Sequence, residues 1–252
     1  MRKFATLGLA CLLAAPSFAQ TKDQAPANVG AAPPTTAVPK AKNEKWWMDR
    51  HEAFLARTKQ RGVDLAFVGD SITQGWEGDG KAAWKENFAP LKAANYGIGG
   101  DQTQHVLWRL TEGKEFVGIA PKVVVLMIGT NNFGSHTPVQ IAAGVEAIVK
   151  EVRQQERGVE VLLLGIFPRA GNAPKGDSCP AANLNPKVAA TNALLAKFDD
   201  GKHVHYLDIG KKFLEKDGSL SKKVMPDYLH LSADGYERWA KAILPKVKEL
   251  LK

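Results

Sequence analysis

The run Lys122-Val123-Val124-Val125-Leu126-Met127-Ile128 is the clearest strand in this chain of 252 residues. Its near-continuous apolar content, rich in β-branched valine, is typical of a parallel strand that is covered on both faces. The run stops at Gly129, and ligands of parallel α/β sheets bind beyond this carboxyl end of the strands. The stretch therefore predicts a buried parallel sheet and indicates at which edge a functional site lies.

Four further apolar runs alternate with segments of helical spacing. The other predicted strands cover residues 64–68, 93–98, 159–167 and 203–207, and the predicted helical segments cover residues 43–59, 84–91, 102–110, 137–155, 186–198 and 232–250. Such an alternation is typical of a parallel sheet between layers of helices, joined by right-handed crossovers. The sequence therefore predicts an α/β protein with a five-stranded parallel sheet.

The N-terminus has the features of a targeting segment. Arg2 and Lys3 precede an apolar run over residues 4–15, and a small-x-small cleavage site follows in Pro16-Ser17-Phe18-Ala19. This pattern predicts a secretory signal peptide over residues 1–19, and hence a secreted or periplasmic protein. A membrane anchor is the weaker interpretation, because the apolar run is shorter than the roughly 20 residues that span a bilayer.

The next segment, residues 20–42, is rich in alanine, proline and threonine and contains the pair Pro33-Pro34. This composition predicts a flexible linker. The remaining residues, 43–252, have the length of one α/β domain with a sizeable core.

Charge and composition bear on the partners. The chain carries a formal net charge of +8, which loss of Arg2 and Lys3 lowers by two. The lysines are scattered, and no nucleic-acid-binding motif is present. We therefore predict no nucleic-acid partner, while weak contact with membrane surfaces or anionic polymers stays open.

Histidine and cysteine patterns do not indicate a cofactor. His203 and His205 share one face of a predicted strand, but no cysteine or carboxylate cluster completes a metal site, so packing is favoured. Cys179 stands in a loop-like stretch and is the single cysteine left after loss of the signal peptide. We predict neither a metal ion nor a cofactor.

Ser71 is a candidate nucleophile, because it directly follows the first predicted strand in Gly69-Asp70-Ser71-Ile72-Thr73. A serine at this position needs a neighbouring base to take its proton. The segment lacks the second glycine of the G-x-S-x-G elbow of α/β-hydrolases. Taken alone, it is more typical of a strand-ending turn in which Asp70 or Ser71 caps the next helix.

The segment Asp227-Tyr228-Leu229-His230 supplies a candidate base. Residues three apart can face each other in a single turn, so Asp227 can hold one ring nitrogen of His230 while the other takes a serine proton. An isolated pair of this kind is more typical of a surface contact. The catalytic interpretation gains support from a nucleophile and two donors at strand ends in the same fold.

Two other strand ends offer donors for an oxyanion. Gly100, in Asn95-Tyr96-Gly97-Ile98-Gly99-Gly100-Asp101, allows close approach of its backbone N–H to a substrate. Asn131, in Gly129-Thr130-Asn131-Asn132, carries a side-chain amide that can donate to the developing charge. Plain turn and helix-capping roles are the alternatives for both segments.

Together the four segments resemble the four sequence blocks of the SGNH hydrolases, also called GDSL esterases and lipases. Ser71 matches the nucleophile, Gly100 the second-block glycine, Asn131 the third-block asparagine, and Asp227 and His230 the acid and base. Many members have an aspartate after the third-block asparagine, where this chain has Asn132.

The match is closer still to one branch of this family. The catalytic subunits of intracellular platelet-activating-factor acetylhydrolase have segments similar to residues 47–51, 95–101, 105–110 and 129–132 of this chain. The similarity extends from about residue 46 to the C-terminus. The resemblance implies a flavodoxin-like three-layer α/β/α sandwich, a serine esterase mechanism without a cofactor, a preference for short acyl groups, above all acetyl, and a homodimer.

We therefore expect a secreted serine esterase that acts on short-chain, above all acetyl, esters of a lipid, a glycan or a small alcohol. Ile72, Thr130 and Leu229 are hypothesised to line the acyl pocket, because each adjoins a predicted catalytic residue. A carbohydrate O-acetyl esterase, a lysophospholipase or a thioesterase are alternatives within the family. A non-catalytic glycan- or membrane-binding protein is the alternative of another class, against which the complete set of five site residues argues.

Overall fold

The computed structural model describes Met1 and residues 32–172, 174 and 176–252. The predicted signal peptide beyond Met1 and the predicted linker up to residue 31 lie outside these described residues. Residues Pro33–Lys252 form one compact unit.

The central feature is a five-stranded parallel sheet with the order β2-β1-β3-β4-β6. The described residues contain seven strands: β1 (Leu65–Gly69), β2 (Ala93–Gly97), β3 (Val123–Met127), β4 (Glu160–Leu164), β5 (Ser178–Cys179), β6 (Val204–Leu207) and β7 (Leu220–Ser221). β5 and β7 pair separately as a small antiparallel ribbon. The order of the parallel sheet is that of flavodoxin-like folds, which confirms the predicted fold class.

Helices cover both faces of the sheet. They are α1 (Lys45–Lys59), α2 (Ser71–Gln74), α3 (Lys81–Asn87), α4 (Thr103–Leu110), α5 (Pro138–Gln155), α6 (Pro186–Leu195) and α7 (Ala233–Leu250). α5 begins as its sequence suggests, because Thr137 and Gln140 form a capping box and Pro138 occupies the first helical position.

The core consists of two apolar layers, one on each face of the sheet. Because side chains alternate along a strand, Val124 of β3 packs into one layer with α1, α4 and α5, while Val125 packs into the other with α3 and α7. Every residue of β1 and β3 is buried. This two-sided burial explains why the strands lack alternating polar residues.

The predicted elements differ from the observed ones mainly at their ends. The strand predicted over 159–167 ends at Leu164. Cys179, predicted in a loop-like stretch, is buried and lies in the short strand β5. The one-turn helix α2 has no counterpart among the predicted helices, since four residues are too few to show helical periodicity.

The predicted start of the domain at residue 43 is too late. Thr36, within a 3₁₀ turn over Thr35–Ala37, is fully buried; its hydroxyl donates to Gln140 O, and Thr103 donates to its carbonyl. These hydrogen bonds fix residues 33–42 against α4 and α5. Composition alone did not reveal this, because the segment docks through single polar contacts rather than through a periodic apolar face.

Among the residues that the structure describes, none of the helices is both long and apolar enough to cross a membrane.

Candidate active site

Strand register brings three of the four sequence segments to one edge of the sheet. Gly69, the last residue of β1, lies opposite Gly97 of β2 and Met127 of β3. Ser71, Gly100 and Asn131 follow these three residues by two to four positions. They therefore leave the sheet side by side at its carboxyl edge, as the sequence predicted.

Ser71 is the first residue of α2, and its turn is held from several sides. Asp70 is the N-cap, and its Oδ1 atom accepts the Ile72 N–H at 3.0 Å. The hydroxyl of Tyr236, on α7, donates to the Ile72 carbonyl at 2.6 Å. At Gly97 a β-carbon would lie 2.4 Å from the backbone nitrogen of Gln74, so glycine there lets α2 pack closely on β2. These contacts hold the serine rigidly.

Ser71, His230 and Asp227 form a continuous hydrogen-bonded chain. The Ser71 Oγ atom lies 2.8 Å from His230 Nε2, and His230 Nδ1 lies 2.6 Å from Asp227 Oδ2. With Nδ1 protonated and donating to the carboxylate, Nε2 is free to accept the serine proton. The structure thus brings together the three residues that the sequence nominated for proton transfer.

The loop that carries Asp227 and His230 is a tight turn. Asp227 Oδ1 accepts the backbone N–H groups of Leu229 and His230, at 3.0 and 2.7 Å. Tyr228 adopts a left-handed conformation with φ of 60° and donates its hydroxyl to Gly176 O at 2.6 Å. One carboxylate oxygen therefore shapes the turn and leaves the other for the imidazole.

The charge of Asp227 suits this role. Burial alone would raise the pKa of its carboxyl, but hydrogen bonds from the His230 ring and from the two backbone N–H groups outweigh burial and lower the pKa below its ordinary value. Asp227 is consequently ionised at neutral pH and can stabilise an imidazolium on His230.

The two predicted oxyanion donors lie on adjoining loops. Gly100 has a φ of 69°, which favours glycine, and at the preceding Gly99 a β-carbon would lie 3.8 Å from the Ser71 β-carbon. The Asn131 Nδ2 atom donates one proton to Asp101 O at 2.9 Å, which leaves its second N–H free. The arrangement orients that amide before a substrate arrives, as electrostatic catalysis requires.

Asn132 has a structural role distinct from that of its neighbour. It is fully buried, and its Oδ1 atom accepts the N–H of Thr103, the first residue of α4, at 3.1 Å. An aspartate at this position could accept the same bond. Asn132 departs from the family pattern but still provides an acceptor for the first backbone N–H group of α4.

A buried ionic network behind the oxyanion loop was missed by sequence reasoning. Arg109, with no exposed surface, donates to Asp101 at 2.9 Å and to Glu115 at 2.5 Å. It also donates to Tyr96 O, near the end of β2. The arginine thus links the strand end to Asp101, whose carbonyl orients Asn131. The sequence gives little indication that Arg109 is buried, because an arginine in a helix is normally exposed.

The burial of the Asp70 carboxyl is the second feature that sequence reasoning did not find. The Asp70 side chain has no exposed surface, and its Oδ2 atom has no hydrogen-bond partner among the described residues. Burial raises the pKa of this carboxyl to about 7, despite the Ile72 N–H that favours the ionised form. A carboxyl beside the nucleophile therefore keeps its proton to a higher pH than an exposed aspartate does.

The two strand histidines lie away from this site. His203 Nδ1 and His205 Nε2 lie 3.0 and 2.9 Å from the two carboxylate oxygens of Glu160, the first residue of β4 and hence at the opposite edge of the sheet. Within the described part of the chain, no group of three or more histidine, cysteine or carboxylate side chains is arranged to hold a metal ion.

Comparison with known families identifies this arrangement. The model of the GDSL-like lipase/acylhydrolase family matches residues 67–238. The chain belongs to this family. Its serine, glycine, asparagine, aspartate and histidine segments all fall within the matched region, and the predicted family is confirmed. The family assignment makes the protein a serine hydrolase of ester bonds.

Similar curated proteins point to the same branch that the sequence motifs suggested. Platelet-activating factor acetylhydrolase IB subunit alpha1 of Homo sapiens is 38% identical over 216 residues, which cover 86% of this chain and 89% of that protein. Subunit alpha2 of Gallus gallus is 38% identical over 205 residues, covering 81% and 85%.

Solved structures share the fold at lower identity. A GDSL-like lipase from Bacteroides thetaiotaomicron has a TM-score of 0.61 and 15% identity, covering 79% of this chain and 97% of its own. A carbohydrate acetylesterase from Sinorhizobium meliloti has a TM-score of 0.57 and 21% identity, covering 75% and 99%.

Proposed function

We propose that this GDSL acylhydrolase hydrolyses short-chain esters, above all acetyl esters, through an acyl-enzyme formed on Ser71. The hydrogen-bonded chain from Ser71 Oγ through His230 to Asp227 is the observation on which the proposal rests. A serine held at hydrogen-bond distance from an oriented imidazole is an activated nucleophile.

In the first half of the reaction, Ser71 Oγ attacks the ester carbonyl carbon while His230 Nε2 takes the hydroxyl proton. The free N–H of Asn131 and the backbone N–H of Gly100 and of Ser71 stabilise the oxyanion of the tetrahedral intermediate. His230 then gives its proton to the leaving alcohol as the carbon–oxygen bond breaks. Asp227 stabilises the imidazolium between these two transfers.

In the second half, His230 takes a proton from water, and the resulting hydroxide attacks the acyl carbon of the acyl-enzyme. Collapse of the second tetrahedral intermediate returns the proton from His230 to Ser71 Oγ and releases the carboxylic acid.

The acyl preference is proposed from the side chains that adjoin the reacting groups. Ile72 follows the nucleophile and is almost fully buried, Thr130 precedes Asn131 and is buried, and Leu229 precedes His230. We infer that these three side chains line the acyl site and limit it to a short acyl group. The acetylhydrolase names of the relatives support the same preference.

The alcohol part has two candidates. Two curated relatives are named for platelet-activating factor, whereas one structural neighbour is named a carbohydrate acetylesterase. We favour an acetyl ester in either case, and the comparison of acetylated lipids with acetylated glycans as substrates would choose between them.

Hydrolysis of p-nitrophenyl esters from acetate to octanoate tests the proposal. We expect activity to fall steeply beyond butyrate, and Ser71→Ala to lose at least about a thousandfold in kcat. The same variant should no longer react with a fluorophosphonate probe. Peak activity on octanoate would refute the acetyl preference, and full activity of Ser71→Ala would refute the nucleophile.

We also propose export and dimerisation, which rest respectively on the N-terminal sequence pattern and on the family resemblance. Expression of the full chain in a bacterial host, followed by N-terminal sequencing of the periplasmic fraction, should give a first residue at Gln20. Sedimentation of the mature protein should give the mass of a dimer. A full-length cytoplasmic product, or a monomer, would contradict the respective proposal.

A further inference from the structure

Two cationic side chains contact the loops that carry the proposed oxyanion donors. Lys42 Nζ donates to Gly100 O at 2.9 Å. Arg169 Nη1 donates to the carbonyl and the hydroxyl of Thr130, at 3.2 and 3.1 Å. Each cation therefore contacts a residue that supplies, or directly precedes, a proposed oxyanion donor.

The two cations are connected through the site itself. Lys42 donates to the carbonyl of Gly100. The carbonyl of the next residue, Asp101, accepts a hydrogen bond from Asn131. Thr130, which precedes Asn131, accepts a hydrogen bond from Arg169. Each of the two loops that carry the proposed oxyanion donors thus accepts a hydrogen bond from one cation, Lys42 on the Gly100 loop and Arg169 on the Asn131 loop.

Neither cation is neutralised by an ion pair. In the part of the chain that the structure describes, no salt bridge includes Lys42 or Arg169. The Arg169 Nε atom is buried without a hydrogen-bond partner. A cation that is partly removed from water and lacks a counter-charge favours an anion brought by a ligand.

The carboxylates near Arg169 do not remove this excess of positive charge. Asp227 is hydrogen-bonded to His230 rather than to Arg169, and burial raises the pKa of the Asp70 carboxyl to about 7. Burial lowers the pKa of Arg169, and these two carboxyls raise it. A guanidinium nevertheless stays protonated in proteins.

The backbone around Arg169 is fixed in place. Ala170 N–H donates to Tyr228 O at 3.1 Å, and Arg169 O accepts from Asn185 N–H at 2.9 Å. The arginine therefore spans the loop of the oxyanion donor and the loop of the catalytic histidine. Its guanidinium is also close enough to Asp70, which precedes Ser71, and to Asp227 for both carboxyls to raise its pKa.

We propose that Lys42 and Arg169 form a cationic pair that selects esters whose alcohol part carries an anionic group, a carboxylate or a phosphate. The inference rests on the proposed esterase function and adds the class of alcohol. A charge at the substrate end of such a site strengthens binding of an anionic substrate, and the effect weakens as salt screens it.

The test compares two acetyl esters of the same shape and different charge. 4-Acetoxybenzoate carries a carboxylate on the leaving phenol, and 4-acetoxybenzamide carries a neutral amide there. The ratio of their kcat/KM values isolates charge recognition, since damage to the chemistry itself lowers both values. Hydrolysis of the neutral amide ester, and its loss in Ser71→Ala, tests the esterase function separately.

We expect Lys42→Met and Arg169→Met each to lower the carboxylate-to-amide ratio on the order of tenfold, mainly through KM. Arg169→Lys keeps the charge and should keep most of the ratio. Lys85→Met, which removes an equal charge from an exposed position of α3, should leave the ratio unchanged. Ratios that stay unchanged in both Met variants, or that fall equally in Lys85→Met, would overturn the proposal.

Ionic strength provides a test that needs no substitution. The ratio of the parent enzyme should fall several-fold between about 20 and 500 mM sodium chloride, because the Debye length shortens from about 20 Å to a few ångström over this range. A ratio that does not depend on salt would overturn the proposal even if a variant failed to fold.

Discussion

The Oγ atom of Ser71 and the Nε2 atom of His230 lie 2.8 Å apart, although 159 residues separate them along the chain. The serine leaves the end of β1, whereas the histidine belongs to the turn before α7. Tyr236 strengthens this link between the two regions, because it lies on α7 and donates to the Ile72 carbonyl beside the serine. The packing of α7 on the sheet therefore assembles the proposed catalytic chain.

Replacement of Asp227 by asparagine should lower kcat roughly 10²- to 10⁴-fold with little change in KM. The variant removes the charge that stabilises the imidazolium, and its amide can present an N–H rather than an oxygen to His230 Nδ1. Steady-state kinetics with p-nitrophenyl acetate would measure this. Asp217→Asn is a matched control in an exposed loop. A variant that keeps more than about a tenth of the parental kcat would show that Asp227 is not the catalytic carboxylate.

The neighbouring asparagines should respond differently to alanine. Asn131→Ala should lower kcat about a hundredfold because an oxyanion donor is lost, with a small change in thermal stability. Asn132→Ala should lower the free energy of unfolding by about 1–3 kcal/mol, because the buried Thr103 N–H loses its acceptor. Kinetics and calorimetry on both variants would test this contrast. If Asn131→Ala lost stability but not kcat, its proposed role would be wrong.

Leu229→Ala should broaden the acyl preference towards longer chains. The substitution shortens a half-buried side chain beside His230 and should admit a hexanoyl or octanoyl group. One methylene group in an apolar site contributes about 0.8 kcal/mol, so the relative kcat/KM for octanoate over acetate should rise at least about tenfold. Leu214→Ala, at another half-buried leucine, serves as the control. An unchanged preference would contradict the assignment of the acyl pocket.

Asp70→Asn should make the folded state less sensitive to alkaline pH. Because burial raises the pKa of Asp70 to about 7, the folded protein keeps a proton between about pH 4 and 7 that the unfolded chain has released. The stabilisation from this proton is complete below about pH 4 and is lost as pH rises through 7. Asparagine stays neutral and retains an oxygen acceptor for the Ile72 N–H.

The measurement is the melting temperature of parent and Asp70→Asn at pH 5 and pH 8. The variant should gain stability relative to the parent at the higher pH, by a few kcal/mol at most. Asp79→Asn, an exposed aspartate close by in sequence, is the control. Parallel pH profiles for parent and Asp70→Asn would show that Asp70 is ionised throughout.

Much of the fold could be predicted from local patterns. Strand β3 was recognisable because the six consecutive apolar residues 123–128 fit a strand that is buried on both faces. The start of α5 was predicted because a capping box and a proline at the first helical position involve only neighbouring residues. Helix α2 was missed, because a single turn held by Asp70 and Tyr236 has no periodicity of its own.

The residue types of the site were also present in the sequence. Strand ends and short spacings predicted all five site residues: Ser71, Gly100, Asn131, Asp227 and His230. The family resemblance then indicated the role of each one. That resemblance could identify the chemistry because the segments that hold the reacting groups are short and continuous. It could not show the cations next to them, since Lys42 lies in a segment whose composition predicts a linker.

By itself, the sequence determined the α/β class, the edge of the sheet that carries the site, and the five residues proposed for ester hydrolysis. Only the tertiary structure decided that Arg109 lies buried behind the oxyanion loop, that Asp70 is desolvated, and that Lys42 and Arg169 flank the donors. The physical reason is that periodicity and spacing depend on neighbours along the chain. Burial and charge depend on groups that meet only when the sheet, α7 and the N-terminal segment pack together.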